Sequence, residues 1–287
     1  MIKHWISAAR PHTLPTSIAP VIIATVYAWQ QNHLNWTVFI ICTLFALLAQ
    51  IASNFANDYF DYKNGSDKPD RVGQRRAVAS GDIKPKTMLR ATLLTLALAA
   101  IVGCTLIPIG GMPLLILGAI IVIFALAYSA GPYPLSYHGL GEVTVFIFFG
   151  IVPVTATYWL QTGTLSQNVI YGAVAMGLLS SNILLVNNYR DYETDRADNK
   201  RTSVVILGRR FAEVTYLLNG IIATAILLPT YTGIIAAIIY MALHIKTWQK
   251  IRKTKGSALN PYIGKTAKNQ LLFTLLYTAV TIINTLN

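Results

Sequence analysis

The sequence predicts an all-α fold: a polytopic membrane bundle of about nine transmembrane helices around a central cavity, with pseudo-repeated halves. Three observations carry this. Of the 287 residues, 54% are hydrophobic and only 12% charged, and the mean hydropathy is +0.51, whereas soluble domains carry about 25% charged residues. The apolar residues come in continuous runs of roughly the 20 residues that cross a hydrocarbon core as helix, too long for barrel strands. The 23 Lys and Arg residues fall in alternate connecting segments, as the positive-inside rule requires of cytoplasmic loops.

Taken in order, spans are expected at about 14–30, 36–57, 87–107, 112–130, 141–160, 168–189, 211–229, 231–249 and 267–286, by run length. The first run follows Arg10-Pro11 without a small-residue cleavage pattern after it, so it is expected to be a span and not a signal peptide. Lys3 and Arg10 precede the first span, Lys63 to Arg90 follow the second, Arg190 to Arg210 follow the sixth, and Lys246 to Lys268 lie between the eighth and ninth. The intervening outer loops contain no Lys or Arg. This alternation places the N-terminus on the cytoplasmic side of the cell membrane, the C-terminus outside, and two cap loops, about 58–86 and 190–210, over the inner face. The net charge of +12 therefore reports topology and not a nucleic-acid partner. Residues 1–287 are expected to form a single membrane domain. Cys42 and Cys104 lie inside apolar runs and read as small buried hydrophobes.

The eleven acids are equally uneven. Asp58, Asp61, Asp67 and Asp70 form one cluster and Asp191, Glu193, Asp195 and Asp198 another, each at the end of an apolar run. At about 100° per residue, Asn54, Asn57, Asp58 and Asp61 share a helix face, as do Asn187, Asp191 and Asp195. Carboxylates at the C-terminal end of a membrane helix suffer desolvation and the negative end of the dipole, and a cation relieves both. The order span, acidic motif, basic loop, two spans occurs twice, and pseudo-symmetry would set the two motifs face to face. Mg²⁺ takes oxygen ligands, usually one or two carboxylates plus substrate phosphates, so the paired motifs are expected to grip a diphosphate through Mg²⁺. Lys63, Lys68, Arg71, Arg75 and Arg76 beside the first motif, and Arg190, Arg196, Lys200 and Arg201 beside the second, suit a departing diphosphate, led by Arg71, Arg190 and Lys200. Any cytoplasmic loop is basic, so lipid head groups account for others. No P-loop is present, and a diphosphate on a lipid tail fits a bundle embedded in the bilayer. Ionising an allylic diphosphate calls for a dry, aromatic-lined pocket, for which Tyr59, Phe60, Tyr62, Tyr128, Tyr133, Tyr137, Phe146, Tyr158 and Trp159 are available.

These residues resemble a known family. Asn57-Asp58-Tyr-Phe-Asp61 followed by Asp67, and Asp191-Tyr-Glu-Thr-Asp195 followed by Lys200, are similar to the two aspartate-rich motifs of the UbiA superfamily of intramembrane aromatic prenyltransferases. Arg10-Pro-His-Thr-Leu-Pro15, the run from Asn57 to Arg71, Gly139-Leu-Gly-Glu142, Asn187-Asn188 and Lys200-Arg-Thr most resemble its branch acting on 1,4-dihydroxy-2-naphthoate in menaquinone synthesis. The resemblance implies a nine-helix bundle around a cavity open to the cytoplasm and sideways to lipid. It implies a Mg²⁺-diphosphate site of Asp58, Asp61, Asp191 and Asp195, assisted by Asn54 and Asn57. It implies transfer of a polyprenyl group from a polyprenyl diphosphate to 1,4-dihydroxy-2-naphthoate, with loss of CO₂, giving a demethylmenaquinone. Lys63, Asp67, Arg71, Tyr128, Glu142, Asn187, Asn188, Arg190 and Lys200 complete the expected substrate site. Two departures stand out: no lysine follows Tyr128, as it does in some relatives, and Asp67 is spaced differently from the shorter superfamily pattern.

Other readings stay open at this level. The acceptor could be 4-hydroxybenzoate or homogentisate, and intramembrane acids also serve cation transporters. His12 reads as a contact for the acceptor's carboxylate or as an interfacial anchor. Glu142 reads as a hydrogen-bonding or basic group toward the acceptor, or as an acid favoured at a helix N-terminus.

Overall fold

The computed structural model describes residues 1–67, 72–228 and 234–286, and among them the secondary structure is helical, with no strand. The helices are α1 (Ile2–Ala9), α2 (Pro15–Gln30), α3 (Trp36–Lys63), α4 (Pro85–Cys104), α5 (Ile107–Gly110) and α6 (Pro113–Ala127). They continue with α7 (Gly141–Phe146), a π-helical turn (Ile147–Ile151), α8 (Val152–Thr162), α9 (Gln167–Arg190), α10 (Tyr192–Ala197), α11 (Ser203–Leu227), α12 (Ile234–Lys253) and α13 (Asn260–Leu286). Proline opens α2, α4 and α6, where its missing N–H is no loss. Asn35 caps α3 by accepting from the N–H of Val38 at 3.1 Å, and Gly163, at φ 71°, closes α8.

Each of the nine expected spans overlaps a helix, residues 229 and 231–233 of two of them lying outside the described residues, but among the described residues length and apolar character sufficient for crossing are met by six stretches. These are α3, α4, the continuous unit 141–162, α9, α11 and 256–286. The helix α6 is apolar but has 15 residues, and α2 has 16 with Pro20 inside. Composition therefore supports six crossings outright and leaves nine as an expectation. The protein is a multi-pass membrane protein.

The bundle is built around α9, whose apolar window is 72% buried against 33% for α3, at the same hydropathy of 2.0. Its Gly172, Ala173, Ala175, Met176 and Leu179 pack among Ile23 and Tyr27 of α2, Val154 and Tyr158 of α8, and Phe273 and Tyr277 of α13. Small residues permit this approach, since packing in lipid relies on close van der Waals contact. At Gly150 an added Cβ would lie 2.3 Å from the Cα of Gly177, so the π-helical turn and α9 touch backbone to backbone. The stretch expected as the second cap loop is partly ordered as α10 and the start of α11, and Gly208 breaks α11 at φ 85°, ψ 164°.

Candidate active site

Both acidic motifs arrive at the ends of helices, the first on the last two turns of α3 and the second at the junction of α9 and α10. Between them lies a cavity of about 680 Å³. Its polar end is formed by Arg10, Asn54, Asn57, Asp61, Arg76, Asn187, Asn188 and Lys200, and its body by apolar side chains of α3, α4, α6, α8 and α9. The chamber wall takes Asn54, Asn57 and Asp61 from the first motif and Asn187, Asn188 and Lys200 from around the second, whereas Asp58, Asp191 and Asp195, expected at the diphosphate, are not on it.

Individual carboxylates have different employments. Asp61 is buried and receives the Tyr137 hydroxyl at 3.2 Å and Arg76 Nη2 at 3.4 Å. The same guanidinium meets buried Asp67 through Nε at 2.9 Å, so Arg76 ties two acids of the first cluster together. Asp195 faces Lys200 Nζ at 3.8 Å, and its main-chain oxygen accepts from the Lys200 N–H at 2.8 Å. Asp58 shares the helix with Asp61 but not the chamber wall. Its two oxygens accept the N–H groups of Ala77 and Val78, each at 3.0 Å. Asp191 is gripped by Arg190 at 2.7 and 2.6 Å, and Arg190 also reaches Asn187 and Asn260, each at 2.9 Å. Arg190 is therefore a buried tie among α9, α10 and α13 and is not on the cavity wall. Lys63 is exposed at the end of α3. Arg71, with Lys68 and Asp70, lies outside the described residues.

Among the remaining candidates, Tyr128 lines the cavity, as expected of an aromatic wall, but it is joined by Phe45, Phe124, Phe148 and Phe149, none of which the motifs single out. Phe148 and Phe149 lie in the π-helical turn, which no periodicity reveals. Arg10 adds to the polar end; its place in the Arg10-Pro-His-Thr-Leu-Pro15 run was the available signal. Glu142 accepts Asn188 Nδ2 at 2.8 Å and Ser203 Oγ at 2.7 Å through Oε1. Burial, with Arg10 and Arg190 nearby, lowers the pKa of His12, so the imidazole is neutral at physiological pH. Burial and the charge of Asp61 raise that of Tyr137, keeping its hydroxyl protonated beneath Lys200, whose Nζ lies 5.1 Å from the ring centroid.

Among the described residues no three His, Cys, Asp or Glu side chains converge into a metal cage. The polar end offers carboxylate and amide oxygens without sulfur or imidazole, a hard donor set that fits Mg²⁺ shared with phosphate oxygens and not one held by protein alone.

Fold and site together define a membrane-embedded protein with a chamber that is cationic and amide-lined at one end and apolar along its body. The chain belongs to the UbiA prenyltransferase family, whose model matches residues 17–267, and it is a prenyltransferase. It is 35% identical over 287 residues to a 1,4-dihydroxy-2-naphthoate octaprenyltransferase of Escherichia coli, covering 95% of this chain and 93% of that one. A second, from Mycobacterium tuberculosis, is 34% identical over 277 residues, with 94% of each chain covered. The fold is shared with a UbiA homologue from Archaeoglobus fulgidus bound to GPP and Mg²⁺, at TM-score 0.70 and 13% identity, over 97% of this chain and 99% of that one.

Proposed function

We propose that this protein transfers a polyprenyl group from a polyprenyl diphosphate to 1,4-dihydroxy-2-naphthoate, with decarboxylation, using Mg²⁺ at the cytoplasmic face of the cell membrane. The observation that carries the reading is the single chamber in which amides and cations from around both motifs, with the Asp61 carboxylate of the first, meet a long apolar body. The naming of relatives at 34–35% identity over nearly the whole chain supports the acceptor. The placement of all 23 Lys and Arg residues on one side of the expected topology supports the orientation.

Bound Mg²⁺ would neutralise diphosphate charge and make it a better leaving group. Asp61 with the neighbouring amides on the chamber wall, and Asp195 behind Lys200, are the groups that would hold it; Asp191 is paired with Arg190, and Asp58 holds the loop at 77–78. Arg10, Arg76 and Lys200 offset the remaining negative charge at the chamber's polar end. The allylic carbon–oxygen bond breaks with its electron pair on the diphosphate. Phe45, Phe124, Tyr128, Phe148 and Phe149 exclude water from the resulting cation and present ring faces to it. The ring carbon bearing the carboxylate supplies the pair for the new carbon–carbon bond. The carboxylate then leaves as CO₂, its bonding pair restoring the aromatic ring as the quinol form of a demethylmenaquinone.

The test is a membrane-extract assay with Mg²⁺ and a labelled polyprenyl diphosphate, offering 1,4-dihydroxy-2-naphthoate and 4-hydroxybenzoate in parallel, with products identified by mass. A prenylated naphthoquinone with CO₂ released supports the reading. Prenylated hydroxybenzoate replaces the acceptor and keeps the mechanism, and absence of product from either in active membranes overturns the assignment.

A further inference from the structure

Four asparagines, Asn54, Asn57, Asn187 and Asn188, reach the polar end of the chamber. An amide has a donating and an accepting end, and the chemistry of its partner in the protein decides which end is left for a ligand. Asn54 Nδ2 donates to the carbonyl of Ala9 at 3.0 Å, and Asn188 Nδ2 donates to Glu142 Oε1 at 2.8 Å. Carbonyl and carboxylate oxygens accept only, so both amides turn their NH₂ to the protein and keep the carbonyl oxygen for a ligand. Asn187 is reversed: its Oδ1 accepts from Arg190 Nη2 at 2.9 Å, and a guanidinium only donates, so the NH₂ end remains. Adjacent residues on α9 therefore present opposite ends. Glu142 is itself held, since Oε1 also accepts from Ser203 Oγ at 2.7 Å and its main-chain oxygen accepts from Ser181 Oγ at 3.0 Å. Its Oε2 is buried with no hydrogen-bond partner among the described residues.

We propose that Glu142 is a positioning residue: with Ser203 it fixes Asn188 so that the carbonyl oxygen faces the cation of a Mg²⁺-diphosphate pair, while Asn187, fixed by Arg190, offers its NH₂ to phosphate oxygens. This rests on the function proposed above. Groups that orient a metal ligand change metal affinity by roughly 10–100-fold when removed. The conservative variant separates positioning from charge. In Glu142→Gln the amide oxygen can still accept from Asn188 and Ser203, and the NH₂ replaces the oxygen that bonds to nothing.

The experiment measures retention of labelled inorganic diphosphate, at subsaturating concentration, by purified protein in detergent across a Mg²⁺ titration. Glu142→Gln is expected to keep the wild-type Mg²⁺ midpoint within about twofold, while Glu142→Ala and Asn188→Ala raise it about tenfold. Asn187→Ala is expected to lower retention by a similar factor at every Mg²⁺ concentration. A Glu142→Gln midpoint raised as far as that of Glu142→Ala overturns positioning in favour of a charge or proton-transfer role, and an unmoved Asn188→Ala midpoint overturns it outright. Should Glu142→Ala fail to fold, Glu142→Gln and Asn188→Ala still decide, a Glu142→Gln midpoint raised as far as that of Asn188→Ala overturning positioning. Wild-type protein retaining no diphosphate at any Mg²⁺ concentration overturns the underlying function, and the positioning role with it.

Discussion

Replacing Gly150 by alanine puts a methyl group where two backbones touch. The added Cβ would lie 2.3 Å from Gly177 Cα, 2.4 Å from its N and 2.7 Å from the Ala173 carbonyl oxygen. Carbon atoms rest at about 3.5–4.0 Å, so the π-helical turn and α9 must part by about 1 Å, and no flexible side chain can yield in their place. Alanine gains about 1 kcal/mol over glycine in a helix interior, whereas overpacking costs about 1–3 kcal/mol and more where only backbone can move. With the cost at the upper end of that range, because backbone must move, a net loss of about 2 kcal/mol is expected. Because the separation falls between the helices that carry Glu142 and Asn188, turnover should fall roughly 10²-fold, as misplacements of about 1 Å do. Thermal unfolding in detergent and prenyl transfer in membranes measure the two effects. Gly118 is the control, because a Cβ there meets nothing within 4 Å and Gly118→Ala should not lower the unfolding temperature. A Gly150→Ala protein that unfolds at or above the wild-type temperature would refute the backbone-contact argument.

Further outcomes are expected at the site. Asp61→Asn keeps shape and removes charge beside Arg76, and turnover should drop by about 10²-fold or more; near-normal rates in membranes would remove Asp61 from the diphosphate site. Chelation with EDTA should stop transfer and added Mg²⁺ restore it, with retained activity after exhaustive chelation counting against the mechanism. Asp58→Asn places an NH₂ against one of two backbone donors and should destabilise the protein by about 1–3 kcal/mol, read as a lower unfolding temperature. Arg209 lies 4.6 Å from the Tyr192 ring centroid and 5.7 Å from that of Tyr189, and pairs with Glu193 at 3.0 Å. Arg209→Ala should therefore loosen α10 and raise the donor KM, and Arg209→Lys should recover the ion pair but only part of the stacking. An unchanged KM in both would show that α10 is held elsewhere.

Much of the site was legible because its parts are local. Asn54, Asn57 and Asp61 share a face of α3, and Asn187 and Asn188 close the apolar run of α9, so one helix apiece was enough to present these residues. Other assignments depended on partners distant in the chain. Asp58 belongs to the same motif as Asp61, yet the N–H groups of Ala77 and Val78, nineteen and twenty residues on, turn it away from the chamber. Arg190 stood out as a phosphate ligand by type and position, and the fold uses it to tie Asp191, Asn187 and Asn260. Phe148 and Phe149 entered the lining through a π-helical turn that has no periodic signature.

Composition and charge by themselves determined that the chain is helical and crosses a membrane, because lipid leaves backbone groups no partner outside the helix. Motif spacing determined which residues could share a face, because the helical period is a property of the backbone alone. Which helix lies at the centre was decided only by tertiary packing: α3 and α9 have equal hydropathy yet 33% and 72% burial. Lipid and protein interior are similarly apolar, so hydropathy cannot distinguish them, whereas the close fit of Gly150 on Gly177 can. The ends that Asn54, Asn187 and Asn188 present to a ligand were likewise decided by the acceptors and donors the fold brings against them.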